Sequence, residues 1–221
     1  MLDKIKGAIF DMDGTLINSL IIWDVLWSKF GEKYINDGTF RPSAESDKRV
    51  RTMTLLAAME LIHSEYGLGD SGEELLDEAN RIMVEFYEND VELKEGVADF
   101  LDECQRRGIR MCIASATDKK LLSVALRHCG LEKYFEKVFS CADVGKGKDE
   151  PDVFLEAMRY LGTDKESTCV FEDSAVAIVT SHRMGLMTVG IFDENNYGQD
   201  LIKATADVYI DRDETLLKLI N

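Results

Sequence analysis

The chain is predicted to fold as an α/β protein: an open parallel sheet with helices on both faces, carrying a small all-helical insertion after its first strand. Three observations predict this. A short apolar run, residues 5–10, stands alone near the start. From Val97 onward, short apolar runs alternate with amphipathic helical stretches, which is the pattern of strand–helix units in a covered parallel sheet. Between these regions, residues 19–89 carry helical periodicity and no convincing strand. At 221 residues and 45% hydrophobic content, the chain is large enough for one domain with a proper core plus a smaller insert. The division this implies is a core of residues 1–17 and 92–221, with residues 18–91 as the inserted helical domain.

Each element has its own justification. Residues 4–10 read as a buried strand. Residues 19–35 read as a helix, because Trp23, Trp27, Phe30 and Tyr34 recur on one stripe and Asn36-Asp37-Gly38 breaks the pattern. A second helix is expected over residues 45–66 and stops in the stretch from Gly67 to Gly72. A third covers residues 73–89, with Leu76, Ala79, Met83 and Phe86 on its apolar stripe. In the core, helices are expected at 97–107, 118–129, 151–161, 174–184 and 213–220. Gly108, Gly130 and Gly185 close three of them, and Pro151 opens one in its first turn. Strands are expected at 109–114, 138–140, 168–171, 187–191 and 207–210.

Composition narrows the function classes. Forty-two acidic against 26 basic residues give a net charge of −16, which argues against nucleic acid or an anionic membrane as partner. That field also repels a phosphorylated ligand, so a phosphate site here needs local cations. The five cysteines form no C-x-x-C pair and are expected to be reduced thiols, mostly core filler, in a cytoplasmic protein. Residues 5–10 are too short for the apolar region of a signal peptide, and no segment is long enough to span a bilayer. Gly145-Lys146-Gly147-Lys148 lacks the spacing and the following hydroxyl of a P-loop. His63, His128 and His182 occur singly within helices and gather no metal site or triad around them.

Open parallel sheets form sites at the carboxyl ends of their strands, so the residues after each strand are the candidates. Asp11 and Asp13 follow the first strand, in Asp11-Met12-Asp13-Gly14-Thr15-Leu16. If the extended geometry continues, the two carboxylates share a side. They can supply a nucleophile and a proton donor, or part of a metal site. Ser115, Ala116 and Thr117 follow the second strand. Lys146 and Lys148 lie in the loop after the third, and Glu172-Asp173 follow the fourth. Four converging carboxylates need a cation among them. Oxygen ligands with no nearby His or Cys favour Mg²⁺. A lysine and a metal would together supply the positive charge a phosphate requires.

These motifs, in this order, resemble the haloacid dehalogenase-like (HAD) hydrolases. Asp11 to Thr15 is similar to the first family motif and Ser115 to the second. Lys148, in Lys148-Asp149-Glu150-Pro151, is similar to the third, and Phe171-Glu172-Asp173-Ser174 to the fourth. The helical insertion resembles the cap of the beta-phosphoglucomutase-like and phosphoglycolate phosphatase-like branch. The resemblance implies a Rossmann-like core. It implies Asp11 as nucleophile and Asp13 as general acid and base. Ser115, Ala116 and Lys148 would hold the phosphoryl group. Mg²⁺ would be bound by Asp11, the Asp13 backbone carbonyl and Asp173, with Glu172 ligating directly or through water.

The expected activity is Mg²⁺-dependent hydrolysis of a small phosphorylated metabolite through an aspartyl phosphate, by a chain expected to be a monomer, with a dimer as the alternative. The competing reading is a sugar phosphomutase of the beta-phosphoglucomutase type. That type usually carries a histidine early in the first cap helix, where Trp23 stands here, and many relatives read Asp-Ser-Glu in place of Asn18-Ser19-Leu20. A non-catalytic phospho-ligand-binding protein is a third reading, opposed by the intact acidic set. Arg41, Ser43, Lys48, Arg49 and Arg51 are cap candidates for an anionic substrate tail, Arg49 foremost among them. The connections at residues 17–20 and 91–95 are expected to hinge.

Overall fold

The computed structural model describes residues 1–51 and 53–220. Six strands, β1 (Gly7–Phe10), β2 (Arg110–Ser115), β3 (Val138–Ser140), β4 (Thr168–Glu172), β5 (Met187–Ile191) and β6 (Val208–Ile210), form one sheet. Their order is β3-β2-β1-β4-β5-β6, and every neighbouring pair is parallel. Successive strands run outward from β1 to one edge, and the chain then crosses back to β4 and runs to the other. The order therefore reverses beside β1, where an open α/β sheet leaves a crevice at its carboxyl edge. β1 has no polar side chain and is buried throughout, as a central strand covered on both faces must be.

Packing fixes the two strand ends that matter most. Phe10 pairs in register with Phe171, and their rings stack at 4.4 Å between centroids. Phe100 and Phe135 meet Phe10 edge-on at 6.3 and 5.7 Å. Phe10 and Phe171, both wholly buried, immediately precede Asp11 and Glu172 in sequence, so hydrophobic packing locks the backbone from which both carboxylates project.

The chain divides into two compact units. One is Met1–Leu20 with Val91–Asn221, and the other is Ile21–Asp90. The divisions fall at Leu20 and Val91, not at residues 17 and 92, because the flanking residues bond into the sheet-bearing unit. The Asn18 N–H donates to the Glu92 carbonyl and the Lys94 N–H to the Leu16 carbonyl, while Ser19 Oγ donates to Asp13.

The second unit consists of α1 (Ile22–Ile35), α2 (Ala44–Val50), α3 (Leu55–Tyr66) and α4 (Gly72–Asn89). Leu26, Trp27 and Phe30 of α1 are buried, as are Ala58, Met59 and Ile62 of α3 and Leu75, Ala79, Ile82 and Phe86 of α4. On α4 the stripe thus runs through Leu75, with Leu76 only half-buried. The single helix expected over residues 45–66 is two, since α2 ends at Val50 and the Thr54 side chain caps α3 by accepting the Ala57 N–H. Thr52, within that stretch, lies outside the described residues. The first helix also starts later than expected, at Ile22, because Ser19 turns its hydroxyl to Asp13.

The sheet is completed by α5 (Val97–Arg106), α6 (Lys119–His128), α7 (Cys141–Val144), α8 (Asp152–Leu161), α9 (Ala175–Arg183) and α10 (Gln199–Thr205). The helix expected at 213–220 is only a 3₁₀ turn, Leu216–Leu219, and residues 2–4 form another 3₁₀ turn where an early strand start was expected. The short α7, built on a capping box between Ser140 and Asp143, lies in a stretch expected to be loop. All five cysteines are free, and burial pushes the Cys104 and Cys112 thiols up to about 12. Among the described residues no helix is long and apolar enough to cross a membrane.

Candidate active site

The carboxyl ends of β1 and β4 bring Asp11, Glu172 and Asp173 together. One carboxylate oxygen from each lies within 4.8 Å of the others, and all three residues are buried. The Asp11 N–H donates to the Phe171 carbonyl at 2.9 Å, which continues the strand pairing to the first carboxylate. Lys148, from the loop between α7 and α8, reaches into this cluster. Its Nζ donates to Asp11 Oδ1 at 2.5 Å and to Glu172 Oε2 at 2.6 Å, with all three side chains at most 8% exposed.

Gly14 permits the close approach of Asp173 to the loop after β1. Its φ is +74°, and a Cβ there would meet Asp173 Oδ2 at 2.3 Å, so both conformation and space require glycine. Thr15 Oγ1 donates to Asp173 Oδ1 at 2.9 Å, and Asn196 Nδ2 donates to Asp173 Oδ2 at 2.6 Å. The Ser174 N–H, at the start of α9, donates to Glu172 Oε1 at 3.1 Å.

Asp13 is held from two sides. Its Oδ1 accepts from Ser19 Oγ at 2.6 Å and its Oδ2 from Thr117 Oγ1 at 2.8 Å. Thr117 is positioned by the turn after β2, where its N–H donates to Ser115 Oγ at 3.1 Å and its carbonyl accepts from Ser140 Oγ at 3.0 Å. Ser115 is buried at the end of β2, and Ala116, between the two hydroxyl residues, is exposed.

Electrostatics explains why such a site needs a ligand. Carboxylate charges no more than 4.8 Å apart repel by roughly 3 kcal/mol or more at an effective dielectric near 20. One ammonium cannot offset three carboxylates. Burial raises the pKa of Asp11, with Asp13 adding to the rise and Lys148 opposing it. Burial also pushes Glu172 well above the ordinary carboxylate range, reinforced by Asp11. Burial and the charge of Asp11 bring Asp173 to about 7, against the pull of Asn196 and Thr15. For Lys148, burial alone would lower the pKa, but Asp11 and Glu172 outweigh it and hold the ammonium above the ordinary lysine value. A cation drawn into this cluster would reverse the carboxylate shifts. The donor set is oxygen only, with neither His nor Cys in it, so a hard divalent ion fits.

Asp11, Asp13, Ser115, Lys148, Glu172 and Asp173 thus all lie at the carboxyl edge: Lys148 bonds to Asp11 and Glu172, Thr117 links Asp13 to Ser115, and Asp173 is held by Thr15 and Asn196. Arg49 belongs to the helical unit, where it is exposed and pairs with Glu65 at 3.0 Å. Lys146 is exposed and pairs with Asp152, so of the two loop lysines only Lys148 enters the cluster. The side chains of Thr15, Ser19, Thr117 and Asn196 bond to the carboxylates and were given no role by the sequence. For Thr117 a signal existed, a hydroxyl two residues after Ser115. Asn196 lies 23 residues beyond Asp173 in an irregular loop and carries none.

A parallel sheet whose strand order reverses beside a buried acidic cluster and a lysine defines a class of α/β protein built for carboxylate chemistry at its strand ends. Within that class, the chain belongs to the haloacid dehalogenase-like hydrolases, whose family model matches residues 5–181. It is 26% identical over 217 residues to a phosphorylated carbohydrates phosphatase of Thermotoga maritima, covering 96% of each chain. It is 25% identical over 219 residues to a putative pyrophosphatase PpaX of Caldanaerobacter subterraneus, covering 98% of this chain and 95% of the relative. Among solved structures, a putative beta-phosphoglucomutase from Thermotoga maritima superposes with a TM-score of 0.79 at 23% identity over 98% of both chains, a likeness of fold. A haloacid dehalogenase-like protein of unknown function from Agrobacterium tumefaciens gives 0.75 at 27% identity, covering 98% of this chain and 97% of the other.

Proposed function

We propose that the chain is a Mg²⁺-dependent phosphatase that hydrolyses a small phosphorylated metabolite through a phosphoryl group carried on Asp11. The observation that carries this reading is the buried convergence of Asp11, Glu172 and Asp173 with Lys148 bridging two of them. The family and the phosphatase names among its relatives support it. Asp11, Asp173 and Glu172 would hold Mg²⁺, with the Asp13 backbone carbonyl as a further ligand. When bound, the ion supplies the positive charge that lets anionic substrate and carboxylates share one site.

The Asp11 carboxylate attacks phosphorus and the bond from phosphorus to the ester oxygen breaks. Asp13, oriented by Ser19 and Thr117, gives its proton to the departing oxygen, so the product leaves as an alcohol. Asp13, now a carboxylate, takes a proton from water as the water oxygen attacks phosphorus. The bond from phosphorus to Asp11 breaks and inorganic phosphate is released. Lys148, which lies beside Asp11, and Ser115, at the end of β2, would neutralise and orient the transferring group.

Water is the preferred acceptor over a second sugar hydroxyl because no cap histidine stands where the mutase branch usually has one. Trp23 is there, packed on Trp27 at 5.7 Å with the Arg51 guanidinium over its ring at 5.6 Å. The test is a panel of phosphate esters with and without Mg²⁺, including beta-glucose 1-phosphate scored for isomerised product. Mg²⁺-dependent phosphate release is expected. Isomer without free phosphate would overturn the choice of acceptor, and silence on every ester with Mg²⁺ still bound would overturn the enzyme reading.

A further inference from the structure

The loop after β5 contributes a side chain that belongs to none of the strand-end motifs. Asn196 Nδ2 donates to Asp173 Oδ2 at 2.6 Å and to the Asp173 backbone carbonyl at 3.0 Å. Its orientation is fixed from the other side, since Asn196 Oδ1 accepts the Tyr197 N–H at 2.8 Å. An amide turned the other way would lose all three bonds and set its oxygen against a carboxylate, so the donor face of Asn196 can only point at Asp173.

The loop that presents Asn196 is itself anchored by buried charge. Lys94 Nζ donates to Asp193 Oδ2 at 2.8 Å and to the Phe192 carbonyl at 3.0 Å, with 17% and 6% of the Lys94 and Asp193 side chains exposed. Asp193 Oδ1 accepts the Asn195 N–H at 2.8 Å, and the Asp193 carbonyl accepts from Gln199 Nε2 at 3.0 Å. A chain of bonds therefore runs from Lys94 through Asp193 and the loop to Asn196, and ends on a carboxylate of the acidic cluster. With Thr15 on Oδ1 and Asn196 on Oδ2, Asp173 has a donor on each oxygen and one orientation toward Asp11 and Glu172.

We propose that Asn196 is a positioning residue for the metal site: its amide holds the Asp173 carboxylate in the orientation that binds the divalent ion, and the Lys94–Asp193 pair holds Asn196 in place. This role rests on the metal-binding reading above. Partners that orient ligating carboxylates typically change metal affinity about 10–100-fold when removed. Bonds of this kind act on the ligand's readiness to bind and leave the transferring group untouched, so the loss belongs in metal affinity and not in turnover at saturating metal.

The test uses the full chain, stripped with chelator and titrated with Mg²⁺ by calorimetry, beside the Mg²⁺ dependence of phosphate-ester hydrolysis. Asn196→Ala is expected to weaken Mg²⁺ binding about 10-fold or more. It should raise the Mg²⁺ concentration for half-maximal hydrolysis in step, and leave kcat at saturating Mg²⁺ within about threefold. Asn196→Leu, which keeps the side-chain shape without a donor, should behave alike and serves if the alanine variant does not fold. Lys94→Met should show the same pattern more weakly. Glu194→Ala, an exposed position in the same loop, should leave Mg²⁺ affinity unchanged. Wild-type Mg²⁺ affinity in a folded Asn196→Ala or Asn196→Leu would overturn the positioning role and leave the metal reading standing. Equal losses of kcat and Mg²⁺ affinity would overturn it in favour of a general structural role. No Mg²⁺ uptake by the wild-type chain would overturn both.

Discussion

The charges at the strand ends and the charges on the helical unit obey opposite rules. In the helical unit, Arg81 pairs with Glu78 at 2.6 Å and Arg49 with Glu65 at 3.0 Å, the cations 61% and 46% exposed. The hydrogen bond from Arg81 brings the Glu78 carboxyl down to about 2. In the buried cluster burial dominates and raises Asp11, Glu172 and Asp173, the first two even with Lys148 in contact. Solvated pairs of the first kind contribute about 0–1 kcal/mol each. The buried cluster is a cost that the packed aromatic core around Phe10 and Phe171 must offset. The lesson is that charge held against its own preference picks out a candidate functional site, and charge that relaxes into solvent does not.

The comparison can be broken most severely at Asp11. Asp11→Asn should lower phosphate-ester hydrolysis by at least about 10³-fold while thermal unfolding shows a folded protein. Retained turnover would show that the buried cluster is not where bonds are made. Next in size is Lys148→Met, which leaves three buried carboxylates with no cation. In the metal-free protein at pH 8, urea unfolding should register a loss of about 3–5 kcal/mol, partly restored by Mg²⁺. A loss below about 1 kcal/mol would place Lys148 with the solvated pairs.

A smaller effect separates the two regions by the sign of their pH response. Asp173, at about 7 in the folded chain, binds more protons than in the unfolded chain, where its value is near 3.8. Folded stability is therefore greatest below the unfolded value and is lost as pH rises through the folded one. Glu78, lowered to about 2, acts the other way, since its contribution is present above the unfolded value near 4.5 and is lost as pH falls toward 2. The midpoint of the metal-free protein should thus rise by a few degrees as pH falls from 8 to about 5, then fall in stronger acid. Asp173→Asn should make the upper limb shallower, with Asp11 and Glu172 still contributing to it, and leave the acid limb unchanged. The smallest effect is expected in the helical unit, where Arg49→Ala should shift stability by less than about 1 kcal/mol.

How much was legible in the sequence follows from the same physics. Asp11, Ser115, Glu172 and Asp173 could be placed because apolar runs identify parallel strands, and a parallel sheet puts all its strand ends on one edge; Lys148 was separated from Lys146 by the motif resemblance alone. The residues that orient the carboxylates were not legible, because Asn196 and Ser19 act through bonds from irregular backbone that no periodicity reports. The break between α2 and α3 was hidden for a related reason: the apolar pattern runs through it, and a local cap at Thr54 decides it. The short 3₁₀ turn at Leu216–Leu219 shows the same limit, since an apolar stripe does not fix how far a terminal helix extends.

The most direct test of the central claim is to find the phosphoryl group on the protein. The full chain would be mixed with Mg²⁺ and a ³²P-labelled sugar phosphate, quenched in acid within one turnover, and mapped by peptide. The proposal that Asp11 carries the phosphoryl group predicts hydroxylamine-labile label on the peptide that contains Asp11, and none in Asp11→Asn. Label on any other residue, or wild-type hydrolysis in Asp11→Asn, would contradict it.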